Sequence, residues 1–68
     1  MAVLKVIEVL ASSEKSWEDA AASAVKIASK TVKEIRSVYV QDMSAVVTKN
    51  KITEFRVTVK ITFEVIAD

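Results

Sequence analysis

Tyr39 is the only phenol in the chain, and Arg36, Gln41, Asp42 and Arg56 accompany it as candidate polar site residues. A phenol donates or accepts a proton, an arginine fork grips an oxyanion, and a carboxylate accepts protons or holds a hard cation. Catalysis needs more than these groups. There is no histidine and no cysteine, so Ser-His-Asp triads, Cys-His dyads, imidazole ligation and thiolate metal sites are excluded. No nucleophile–base pair stands out, and the chain is read as non-enzymatic. Glu14, Glu18 and Asp19 are the carboxylates closest to one another. Two readings compete for them: oxygen ligands for calcium or magnesium, or capping and dipole partners of a helix start. The second is the simpler. No Asp-x-Asp-x-Asp-Gly loop is present. Trp17 is either a stacking platform for a ring-shaped ligand or a packing anchor, and packing is the ordinary role. Lys26, Lys30 and Lys33 mark a solvated helix side rather than an anion site.

Composition narrows the field further. Glycine and proline are absent, which removes every glycine-dependent nucleotide loop. A formal net charge of +1, from ten basic and nine acidic residues, leaves no basic footprint for nucleic acid. The profile is globular, with 51% hydrophobic and 28% charged residues. No apolar run is long enough for a membrane span. The opening MAVLKVIEVLA is interrupted by Lys5 and Glu8, so it reads as a strand rather than a signal peptide. The expected compartment is the cytoplasm, and no membrane or nucleic-acid partner is expected. At 68 residues the chain forms one domain, residues 1–68, and a small one. Such domains bury about 60% of their unfolded surface and depend on disulfides, metals or oligomerisation. Without cysteine, self-association is the expected stabiliser.

The elements that must carry these residues follow from periodicity. Ala2 to Leu10 is a strand with two largely apolar faces: Val3, Ile7 and Val9 on one, Leu4, Val6 and Leu10 on the other. One short helix cannot cover both. Ala11 to Lys15 is a connection. Ser16 caps a helix whose first turn carries Glu18 and Asp19, with Asp19 at the capping-box position. The stripe Trp17, Ala20, Ala21, Ala24, Ala28 and Val32 predicts that the helix ends near Thr31 to Glu34. Ile35 to Val47 is a second strand whose parity changes at Gln41–Asp42, the mark of a bulge or bend. Thr48 to Lys51 is a turn in which Asn50 is the residue suited to a left-handed conformation. In the last strand Phe55, Val57, Val59, Ile61, Phe63 and Val65 alternate with Arg56, Thr58, Lys60, Thr62 and Glu64. The odd face is predicted to pack on the helix. The class is α+β, in the order β-α-β-β.

The segments KVIEVLASS, SWEDAAASAV and ITEFRVTVKITFEV, in that order and separated by a bent strand, resemble the dodecins over nearly the whole chain. The resemblance implies a three-stranded antiparallel sheet wrapped around one helix, and a homododecameric shell. It also implies a ligand-storing or buffering role, since many dodecins stack flavins at subunit contacts. The stacking tryptophan of the family aligns with Ser37 in IRSVYV. The family glutamine that follows an aromatic residue of the last strand aligns with Arg56, after Phe55. The bacterial Ile-Arg-Gly segment aligns with Met43, Ser44 and Ala45, and Asp42 aligns with an acidic residue near the ligand in some members. Serine offers no stacking plane; without the glutamine, flavin polar groups lose a partner, and an arginine pairs with a phosphate or a flavin carbonyl in a different way. A tryptophan-lacking subgroup is linked to calcium, and the SWE and QDM segments are similar to it. The resulting expectation is a dodecin-like, small-ligand or ion-binding shell with a degenerate flavin site. The alternatives are a flavin (riboflavin or FMN) dodecin, a calcium dodecin or a purely structural container. Ser37, Asp42 and Arg56 are the expected cofactor-binding positions, with flavin or calcium as the ligand.

Overall fold

A computed structural model describes residues 2–65. The element order is β1 (Val3–Ser13), α1 (Trp17–Ala28), β2 (Ile35–Thr48) and β3 (Lys51–Val65). β3 is the central strand of a three-stranded sheet ordered β1-β3-β2, and both of its neighbours run antiparallel to it. The cleanest period-two stretch in the chain is therefore the strand with a neighbour on each side. Its Val57, Val59 and Ile61 are buried beneath Ala20 and Ala24 of α1. Small side chains on the helix let it lie close to the sheet, and branched ones fill the space below. Ile7, Val9 and Ala11 of β1 and Ile35 of β2 complete the core from the flanks. The face of the sheet toward α1 is its inner face, and the other is its outer face.

The helix begins as the sequence predicts. Ser16 is extended, and its hydroxyl accepts from the Asp19 backbone N–H at 2.9 Å. The carboxylate of Asp19 does something else: it accepts from the Ser13 hydroxyl at 2.6 Å, tying the end of β1 to the first turn. β1 itself runs to Ser13, so most of the expected connection at Ala11–Lys15 is strand. The far end differs from expectation. The helix stops at Ala28, short of Thr31–Glu34. Beyond it Lys30 and Thr31 donate to Ile27 and Ala28, three residues back, so the chain tightens out of the α form. The hydroxyl of Ser29 also donates to the Lys26 carbonyl at 2.6 Å. Hydroxyls that capture nearby carbonyls compete with helix continuation. Val32 keeps helical spacing in the sequence without being in the helix. Glu34, at φ 59°, then reverses the chain into β2.

The hairpin turn is two residues long, since Thr48 pairs with Lys51. Lys49 and Asn50 both adopt positive φ, at 53° and 65°. Two-residue hairpins favour this geometry because its twist matches that of the strands. The sequence reading assigned it to Asn50 alone; the tight closure demands it of Lys49 as well.

Two outcomes are expected here. Lys49→Asn combined with Asn50→Gly places the preferred residues at both positions and raises unfolding free energy by about 1 kcal/mol. Ser16→Ala removes the helix cap and lowers it by about 1 kcal/mol. Urea titration followed by circular dichroism measures both, with assembly state held constant.

Candidate outer-face site

The site depends on a register shift. β1 pairs with β3 without interruption, but β2 shifts against β3 at Ile35/Ser37, Val40/Asp42 and Val46/Val47. The middle shift makes Gln41 an extra residue, as the parity change in the sequence predicts. Before it, Val38 and Val40 oppose Ile61 and Val59 on the inner face. After it, Met43 and Ala45 oppose Val57 and Phe55, again on the inner face. Without the bulge, Asp42 would share a face with Val38 and Val40. With it, Asp42 joins Ser37, Tyr39 and Ser44 on the outer face.

Ser37, Asp42 and Arg56 thus share one surface, and all three are exposed. They do not share one point on it. Ser37 lies opposite Thr62, Asp42 opposite Thr58, and Arg56 is itself on β3, opposite Ser44. Six residues along a strand span about 20 Å, so Ser37 and Arg56 cannot grip the same small molecule within one chain. Asp42 and Arg56 are about 7 Å apart along the strand direction. Among the described residues neither enters an ion pair. The rest of the outer face is mixed. Tyr39 opposes Lys60, which opposes Glu8 of β1. Leu4, Val6 and Leu10 stand on the β1 side, and Leu10 is 76% exposed.

Trp17 lies elsewhere. It starts α1 and faces the inner side of the sheet. Its indole N–H donates to the Ser44 carbonyl at 2.8 Å, and its ring meets Phe55 edge-on, with centroids 4.8 Å apart and planes at 75°. This is an aromatic anchor whose polar edge is satisfied. It is not part of the outer-face surface. An open groove of about 400 Å³ runs beside it, walled by Ala21, Val40, Met43 and Val57, with Glu18 at the edge. A second groove, of about 550 Å³, separates β1 from the later turns of α1.

Arg36, another candidate from the sequence, is committed to structure. Its guanidinium donates to Glu64 Oε1 through Nε and Nη2, at 3.2 and 2.9 Å, and meets Glu34 at 3.1 Å. The hydrogen bond to Glu64, and then that carboxylate's charge, hold the guanidinium above its ordinary pKa. The Glu64 backbone N–H donates to the Glu34 carbonyl at 3.0 Å, so Arg36 clasps the start of β2 to the end of β3. The adjoining register shift was not legible in the sequence; charge spacing alone does not reveal a partner 28 residues away.

The fit of each implied ligand can be judged from these residues. A flavin ring finds no stacking plane at Ser37, and Tyr39 is the aromatic side chain that the register sets on this face. A hard cation finds oxygen donors in Asp42, Thr58 and Ser44, but not enough of them. Among the described residues no group of three or more Asp, Glu, His or Cys is gathered for a metal. Glu18 and Asp19 lie in the first turn of α1, and the Asp19 carboxylate accepts from Ser13. No helix among the described residues is long and apolar enough to cross a membrane.

Comparison with known proteins agrees with this fold. The family model described as Dodecin matches residues 3–66. A protein of Mycobacterium tuberculosis named calcium dodecin is 44% identical over 66 residues, covering 94% of this chain and 90% of its own. Its crystal structure, described as carrying a novel calcium-binding site, aligns at a TM-score of 0.81 and 36% identity, over 93% of this chain and 90% of that one. The Streptomyces coelicolor dodecin aligns at 0.93 and 21% identity, over 98% and 96% of the two chains. An alanine variant of the Thermus thermophilus dodecin gives 0.93 and 22%, over 98% and 100%. With the β-α-β-β order, the bulged second strand and a family match spanning nearly every residue, the chain belongs to the dodecin family.

Proposed function

We propose that this chain is a non-enzymatic, cytoplasmic storage protein whose single domain assembles into a homododecameric shell and binds calcium. The observation that carries this reading is the 44% identity, over 94% of the chain, to a protein named calcium dodecin. The outer face supports it. Calcium takes about six to eight oxygen ligands, and the bulge sets Asp42 opposite the Thr58 hydroxyl, with Arg56 and Lys60 as the next β3 residues on that face. One chain does not supply a full set, so the ligand sphere is completed where copies meet. Exposed Leu4, Val6 and Leu10 on that same face favour such a meeting, because apolar side chains uncovered in the monomer gain from burial. Ser37 stands where the family places its stacking tryptophan, and Arg56 where it places the glutamine. Both substitutions weigh against flavin as the resident ligand. On this reading the chain groups with the dodecins that lack that tryptophan.

Native mass spectrometry and an absorbance spectrum on the same peak test the shell and the ligand together. The expected result is a colourless assembly of high mass. A monomer removes the shell reading, and visible flavin bands remove the calcium reading.

Calcium is expected to raise the melting temperature of the assembled protein by several degrees. At a free concentration about a hundredfold above Kd the linkage contribution is about 2.7 kcal/mol per site. Asp42→Asn removes most of that rise while leaving the native mass unchanged. An assembled protein whose melting temperature is indifferent to calcium sinks the proposal.

Ser37→Trp restores a stacking plane. Riboflavin affinity, read by fluorescence quenching, is expected to rise about tenfold or more, the worth of one ring stack.

A further inference from the structure

We propose that the free end of the β2–β3 hairpin is an arm that docks in the Trp17 groove of a second copy of the chain. This rests on the self-association proposed above and names a contact that drives it. β1 stops pairing with β3 at Phe55. Beyond that point residues 47–53 form the end of the two-stranded extension, and every one of them is exposed. Its apolar pair, Val47 opposite Ile52, is 62% and 54% exposed. The chain measures 53 Å along its longest axis, and its radius of gyration is 14.0 Å. A compact domain of this length has about 11 Å. Isolated two-stranded hairpins are marginal in water, so an arm of this kind gains from a partner surface.

Charge and reach select that surface. The tip carries Lys49 and Lys51. The groove beside Trp17 is apolar along its walls and has Glu18 at its edge. The larger groove between β1 and α1 has Lys30 at its edge and no carboxylate in its lining, so it repels a basic tip. The arm cannot enter its own chain's Trp17 groove, because Met43 in the groove wall belongs to the same strand as Val47. A second copy is therefore the occupant. Arm and groove are different surfaces, so the contact is head-to-tail and closes into a ring when the rotation permits.

The absence of cysteine makes a cross-linking test clean. In the double variant Met43→Cys/Ile52→Cys the two sulfurs of one chain are too far apart to bond. Four residues of strand already separate Met43 from Val47, about 13 Å, whereas a disulfide needs Cα atoms within about 7 Å. Mild oxidation of the full-length protein is expected to give covalent multimers larger than dimers. Each single variant stops at dimer. Wild-type native mass is measured alongside. A monomeric wild type overturns both self-association and the arm. An assembled protein without the cross-linked multimers overturns the arm alone.

Charge exchange at exposed positions decides the matter even where cysteine variants fold poorly. Lys49→Glu/Lys51→Glu is expected to weaken association by about tenfold or more, and adding Glu18→Lys to restore it. Association unchanged by the tip reversal, or not restored by the third substitution, overturns the docking.

Discussion

The structure depends on one contact: Ala20 and Ala24 of α1 lying directly on Val57, Val59 and Ile61 of β3. Alanine lets the helix backbone approach the sheet, and branched side chains occupy the space below. The contact is short. A 12-residue helix is about 18 Å long, whereas a 15-residue strand runs to about 50 Å. The helix therefore shields less than half the length of the central strand. The uncovered hairpin end follows from this mismatch, while the groove on each flank of α1 and the bare outer face follow from there being one helix on one side of the sheet. The Trp17–Phe55 contact closes the helix cover at the arm end, and the Arg36 clasp ties the sheet together at the other.

The bulge at Gln41 serves both faces of the sheet. It keeps Val38, Val40, Met43 and Ala45 on the inner side while moving Asp42 to the outer side. A regular strand cannot do this, because each residue after the first has its side decided by parity. One extra residue thus preserves a hydrophobic row and delivers a carboxylate to a mixed polar and apolar surface, opposite Thr58. That surface carries oxygen groups of the kind a hard cation takes, and Tyr39 is the aromatic ring among its described residues. Its donors are spread along the strands, and in the proposed assembly contact between copies completes the ligand set.

The proposed self-association and ligand binding have a common origin. A small domain without disulfides has few ways to cover apolar surface. The same uncovered surfaces that call for a partner border the groups that lack enough neighbours to hold a ligand. Assembly and binding are coupled in such an arrangement, since a ligand that prefers the associated state stabilises it by mass action.

Much of this was legible in the amino-acid sequence for local reasons. Period-two alternation marked β3 and its buried face, Ser16 and the following carboxylates marked the helix start, and the broken parity at Gln41–Asp42 marked the bulge. Each signal is carried by neighbouring residues, so no partner is needed to read it. The helix end was misjudged because Val32 holds helical spacing, while the competing hydroxyls and the return to the sheet act through space. The left-handed Lys49 was missed because turn closure, not residue preference, imposes it. Ser37, Asp42 and Arg56 were placed on the site by alignment with a family pattern; only the register shows that they share a face yet stretch over about 20 Å of it. Sequence alone determined which residues alternate, cap and bend, because those are properties of adjacent backbone. Tertiary structure decided which of them meet, because pairing across 28 residues, as between Arg36 and Glu64, depends on strand register and not on spacing.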